Sequence, residues 1–142
     1  QSFNVFKTIS KIHKNICTKS KMVIPIEAEL TKYMQNVFNT YRILFANAYY
    51  DICKENGVVY NSVLQSLLER QELDEKYMKC SEDLRGPSGP CLVKDTLAFE
   101  KYVSGLNIKC DLFKTMIHDM GLYPKTVIDG TRTEKEYFGK LL

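Results

Sequence analysis

Apolar residues recur at helical spacing along most of the chain. Val5, Ile9, Ile12 and Ile16 follow one another at intervals of four, three and four, which predicts an amphipathic helix over about residues 3–18, with Lys7, Lys11 and Lys14 on its opposite side. Residues 19–26 lose that period. Pro25 disfavours helix at Ile24 and suits the first turn of whatever follows, so a linker gives way there to a second helix.

That second helix is the strongest feature of the pattern and is expected over residues 27–55. Leu30, Met34, Val37, Tyr41, Leu44, Ala48 and Ile52 form a nearly unbroken stripe, read as the core face. Glu27 and Glu29 sit at the positive end of the helix dipole, and Asn56-Gly57 supplies a left-handed stop. Ile43, Ala46, Tyr50 and Cys53 make a second apolar strip, so the later half should be covered on more than one side. The aromatic series Tyr33, Phe38, Tyr41, Phe45, Tyr49 and Tyr50 is read mainly as core, with Ile43 and Tyr50 as candidates for a partner-binding surface.

A third helix should start near Asn61 or Ser62, use Val63, Leu64, Leu67 and Leu68, and run on through Tyr77 and Met78 towards Cys80, bending where residues 69–75 are highly charged. Two prolines and two glycines in residues 85–90 exclude helix and make residues 81–94 the principal loop. Asp95 or Thr96 then caps a short helix carrying Leu97, Phe99, Tyr102 and Val103, which stops near Gly105. A further helix over residues 109–120 presents Phe113, Met116, Ile117 and Met120 before Gly121. In the tail, a turn at Asp129-Gly130 followed by a helix opened by the capping box at Thr133 is preferred over a hairpin. The expected fold is therefore all-α, an irregular five- to six-helix bundle around the long central helix. It forms one domain, with residues 1–25 as a basic helix and linker and residues 26–142 as the body.

Composition changes this picture little. With 44% hydrophobic and 26% charged residues in 142, the chain is that of an ordinary globular domain, and no apolar stretch approaches the twenty or so residues of a membrane span. The net charge of +3 is unevenly placed, because Lys7, Lys11, Lys14, Lys19 and Lys21 precede any acid. These five lysines are the candidate surface for nucleic acid or an acidic partner, against the plainer reading of a solvated helix face. The first residue is Gln, which favours an excised domain over a processed product. Five cysteines, an odd number, and no Asn-x-Ser/Thr sequon favour an intracellular setting, cytoplasmic or nuclear. Cys80 and Cys91, which bracket the Gly/Pro loop, would suit a disulfide in a secreted alternative.

Candidate chemistry is judged by the motifs that are missing. The sequence has no phosphate-cradling glycine run, GxSxG, HExxH or CxxC, and its only histidines are His13 and His118. No metal, no cofactor and no catalytic residue is expected. A Cys-His pair made by Cys80 or Cys110 with His118 is weighed and set below simple burial of the thiols. The Pro87-Ser-Gly-Pro90 stretch is read as a connector rather than a PxxP ligand. By elimination, the expected function is a non-catalytic scaffold or adaptor domain of a larger intracellular protein, binding another protein through Ile43 and Tyr50 and with homo-oligomerisation open to it. The alternatives are a nucleic-acid-associated domain working through the five lysines and a secreted ligand of cytokine-like architecture.

Overall fold

A computed structural model describes residues 2–14 and 19–123. Five helices follow in order: α1 (Ser2–Ile12), α2 (Pro25–Glu55), α3 (Tyr60–Leu68), α4 (Leu92–Ser104) and α5 (Leu112–Met120). The fold is all-α, an irregular helical bundle with no β-strand among the described residues. The chain separates into two compact units, Gln1–Lys32 and Tyr33–Leu142. Among the described residues, no helix is long and apolar enough to cross a membrane.

In the first unit, α1 stops at Ile12 and not at residue 18; residues 15–18 lie outside the described residues. Its Phe3, Val5, Ile9 and Ile12 are all exposed, and Lys7 reaches back over the Phe3 ring at 4.7 Å. The start of α2 is locally encoded. Pro25 takes the first helical position, and the Glu27 carboxylate accepts from the Ile24 N–H at 3.0 Å, half of a capping box.

In the second unit, α2 runs without interruption to Glu55, and its end is equally specified by sequence. Gly57 adopts φ 66°, the Gly57 N–H donates to the Lys54 carbonyl at 3.1 Å, and the Val58 N–H donates to the Cys53 carbonyl at 2.9 Å. This paired pattern closes a helix through a left-handed residue, which glycine adopts at no steric cost.

The packing face of α2 differs from the expected stripe. Val37 and Leu44 are buried, but Leu30, Met34, Tyr41 and Ile52 are exposed, Met34 to 75%. The residues that turn inward with Val37 and Leu44 are Asn39, Thr40, Ala46, Asn47 and Cys53. Two apolar clusters form on them. Ala46 and Cys53 meet Tyr60 and Leu64 of α3 together with Met78, and Val37 and Leu44 meet Met116 of α5, flanked by Phe99 and Phe113. Phe99 stands edge-on to Phe113 with centroids 5.0 Å apart and stacks on Tyr33 at 5.6 Å, tying α4 to both neighbours.

The third helix ends at Leu68 instead of reaching Cys80. Beyond it the chain takes turns in which Gln71 and Tyr77 adopt φ of 57° and 62°. The charged run cannot offer the bundle an apolar face, and Met78, buried to 4% exposure, is instead brought in by the Tyr60 hydroxyl, which donates to its carbonyl at 2.6 Å. Burial of this phenol pushes its pKa up to about 12. α4 begins at Leu92 with Cys91 in the cap position, ahead of the expected start, so Asp95 and Thr96 are not caps. Both are fully buried inside its first turns. α5 begins at Leu112, and the turn-helix reading of the tail falls outside the described residues.

Candidate functional site

The buried polar residues of α2 acquire partners on α4. Asp95, with no exposed surface, accepts from the Asn36 side-chain amide at 2.6 Å and pairs with the Lys94 ammonium. One turn along, the hydroxyls of Thr40 and Thr96 lie 3.0 Å apart, and Thr96 donates to the Leu92 carbonyl at 2.8 Å. A hydrogen-bonded layer thus joins the apolar contact of Phe99 with Tyr33 between the two helices, and it fixes the register of α4 against α2 in a way that interchangeable methyl groups would not. Asn47 extends this polar face: its amide donates to the Ile43 carbonyl at 2.8 Å, while its buried side-chain oxygen has no partner among the described residues.

A cavity of about 610 Å³ opens beside this layer. Asn36 and Ile43 line it from α2. Residues 86 and 88–91 line it from the loop that leads into α4, and Lys76, Tyr77 and Lys79 line it from the segment after α3. Gly89 takes φ 85° in that loop, a conformation that calls for glycine, and the chain then turns into α4 at Cys91. Cys91 is exposed and occupies the position just before the helix, where first-turn N–H groups have no intrahelical acceptor. Lys94 stands one turn on. Its ammonium is held above the usual lysine value chiefly by the hydrogen bond to Asp95, with the Asp95 charge and the Cys91 sulfur adding to the effect. An accessible thiol and a positioned amide therefore share one cavity, a pair suited to capturing an electrophilic carbon and stabilising an oxygen anion formed from it.

The loop is anchored by Arg85, which also lines the cavity. Its guanidinium donates to both carboxylate oxygens of Asp51 at 2.7 Å, lies over the Tyr50 ring at 4.9 Å and the Tyr123 ring at 5.0 Å, and approaches the Cys80 sulfur at 3.7 Å. Burial pushes the Cys80 thiol up, against the pull of Arg85. Burial would lower Arg85, yet the Asp51 hydrogen bonds carry the net shift upward.

The residues singled out from sequence are dispersed over these features. Ile43 is half-buried and lines the cavity. Tyr50 is half-buried against Tyr60 and Arg85, with its hydroxyl donating to Glu82 at 3.1 Å. Lys7, Lys11, Lys14, Lys19 and Lys21 are exposed on α1 and the segment after it, in the other unit. Cys53, Cys80, Cys91 and Cys110 are free thiols, so Cys80 and Cys91 are not joined. His118 is exposed and pairs with Asp119 at 3.0 Å. Among the described residues no group of three His, Cys, Asp or Glu side chains is placed to hold a metal. Sequence reasoning missed Asn36, Asp95 and Cys91 as a constellation. The available signal was the Gly-Pro-Ser-Gly-Pro loop ending in a cysteine at a helix start, with Lys94-Asp95 one turn later.

A protein similar to this chain is the UDP-glucose 6-dehydrogenase of Rickettsia prowazekii (strain Madrid E), 27% identical over 103 residues that cover 72% of this chain and 23% of the relative. The chain thus spans about a quarter of the relative it matches. No solved structure matches. The model of the UDP-glucose/GDP-mannose dehydrogenase family, central domain, matches residues 26–136, which contain α2 to α5, the cavity and the Asn36–Asp95 contact but none of the five N-terminal lysines. These matches overturn the expected scaffold or adaptor domain, its nuclear, nucleic-acid and cytokine-like variants, and the expectation that the chain is not part of an enzyme. Elimination by contiguous motifs failed because the polar side chains of this cavity come from α2, the segment after α3 and the loop before α4, which are far apart in sequence. Since the matched stretch takes up well over half of the 142 residues and includes the whole of the cavity, the chain belongs to the UDP-glucose/GDP-mannose dehydrogenase family, whose central domain it carries.

Proposed function

We propose that this chain supplies the substrate-side chemistry of a dehydrogenase acting on C6 of a nucleoside-diphosphate hexose, UDP-glucose being the first candidate, with Cys91 as the covalent nucleophile. The reading is carried by the exposed Cys91 thiol at the entrance to α4, on the cavity it shares with Asn36 and inside the family match. Loss of a hydride and a proton from a primary alcohol leaves an aldehyde. The Cys91 sulfur lone pair forms a bond to the aldehyde carbon, the carbonyl pair moves onto oxygen, and the proton lost from sulfur ends on that oxygen. The resulting thiohemiacetal keeps a reactive aldehyde on the enzyme. Asn36 uses one amide hydrogen on Asp95 and has a second for that oxygen, and the first-turn N–H groups of α4 supply further donors. Lys76 lines the same cavity and suits the charge of a diphosphate, with Lys79 beside it paired to Glu75 at 3.6 Å. A dehydrogenase also needs a hydride acceptor; these 142 residues carry no phosphate-cradling glycine run for a dinucleotide, and the chemistry assigned to this chain is confined to substrate.

The test is Cys91→Ser in the full-length protein, with UDP-glucose and GDP-mannose assayed separately by reduction of a nicotinamide dinucleotide. Turnover should fall by about a thousandfold or more, the scale of losing a covalent nucleophile, while the urea midpoint stays near that of the parent. Turnover of both sugars by the serine variant at the parent rate would remove Cys91 from the chemistry.

A further inference from the structure

Arg85 is separated from Cys91 by five residues, and its contacts are unusually complete for a loop side chain. Two hydrogen bonds from one nitrogen to the Asp51 carboxylate and two aromatic faces hold its guanidinium, with the side chain only 11% exposed. At the other end of the same loop, the Leu92 carbonyl is fixed by the Thr96 hydroxyl and lies 3.5 Å from that of Thr40. The loop therefore runs back along α2, from Asp51 to Thr40, between two anchors. Those anchors are about 16 Å apart at 1.5 Å per residue along the helix. Residues 85–92 can stretch to at most about 24 Å, so the loop spans the anchors without being taut, and its first half is held by the clamp and by burial of Gly86 and Pro87. A short loop fixed at both ends passes a shift at one end towards the other. We infer that Arg85 is a positioning residue: the Arg85–Asp51 clamp sets where Cys91 stands relative to Asn36. The inference rests on the assignment of Cys91 as nucleophile.

Gly86, Ser88, Gly89 and Pro90 carry no side chain able to hold the loop by charge, which leaves Arg85 as its strongest lateral tie among the described contacts. With that tie removed, the glycines give the loop freedom that the cysteine inherits. A lysine at the position keeps the charge opposite Asp51 but loses the planar guanidinium, its contact with Cys80 and its place over the Tyr50 and Tyr123 rings, so it should act as a partial substitute.

The experiment uses the full-length protein and compares Arg85→Met, Arg85→Lys and Cys91→Ser, with Asp51→Asn as a second way of weakening the clamp should Arg85→Met not fold. The readouts are kcat and KM for UDP-glucose, and the ratio of iodoacetamide labelling at Cys91 to that at the exposed Cys110, taken well below the melting temperature. For Arg85→Met, kcat should fall by about ten- to a hundredfold, the scale expected when a reacting group is misplaced by an ångström or so, while KM changes by less than about threefold. The labelling ratio should shift from the parent value, and Arg85→Lys should recover part of both. A folded Arg85→Met or Asp51→Asn protein with parental kcat and parental labelling ratio overturns the inference, whatever happens to its melting temperature. If Cys91→Ser keeps turning over, the nucleophile assignment falls by itself, and the labelling ratio alone then decides whether Arg85 fixes the cysteine.

Discussion

The contact between Asn36 and Asp95 is the hinge between fold and site, and its worth can be worked out from its surroundings. Asp95 is wholly buried, accepts from Asn36 at 2.6 Å and pairs with Lys94, whose side chain is 59% exposed. Solvent screening leaves little of the Lys94 pairing as stability, roughly 0–1 kcal/mol. The Asn36 bond is different, because a hydrogen bond to a buried charged group contributes about 1.5–3 kcal/mol. Asp95→Ala also strands the Asn36 amide and removes packed atoms, so its total cost should be about 2–4 kcal/mol. For a domain of this size that corresponds to roughly 5–15 °C in Tm. The informative design is a double-mutant cycle with Asn36→Ala, Asp95→Ala and the pair, measured by urea denaturation. A coupling of about 1.5–3 kcal/mol is expected, since either single change already destroys the bond. A coupling below about 0.5 kcal/mol, the usual limit for independent sites, would show that Asp95 does not hold Asn36 and would take away the reason for Asn36 to face the cavity in one orientation.

Two further outcomes follow from the packing. Leu44→Ala should cost about 2–5 kcal/mol while Met34→Ser stays within about 0.5 kcal/mol, because Leu44 is buried and Met34 is not; similar urea midpoints for the two variants would refute the observed choice of α2 face. The Glu82 carboxyl is held below the usual range, first by the Lys54 hydrogen bond and then by the Tyr50 hydroxyl. A carboxyl whose pKa is lower folded than unfolded stabilises the protein above its unfolded value, and that contribution is lost as pH falls through the folded value. The deficit of Glu82→Gln relative to the parent should therefore shrink between about pH 6 and about pH 3, and also in high salt, given the exposure of both partners; a deficit independent of pH would contradict this.

The long rod of α2 was readable because its limits are local. Pro25 and Glu27 open it, and Gly57 closes it with bonds to residues a few positions back. Its orientation was not readable, and the reason lies in how it is used. Hydropathy ranks Met34, Tyr41 and Ile52 above Asn36, Thr40 and Asn47, so a periodic reading turns the former inward. Burying Asn36 and Thr40 becomes favourable only when Asp95, Thr96 and the Leu92 carbonyl arrive to meet them, and those partners lie 52 to 59 residues away in the chain. The same distance hid the site. Cys91 alone is an exposed thiol after a flexible loop, and Asn36 alone is a polar residue on a helix; each acquires chemical meaning from the other. The misread face and the missed site are thus one error. The inward face of α2 is polar where it orients Asn36 towards the cavity that Cys91 also lines, and a helix that packed its greasiest stripe there would leave that cavity without its amide donor.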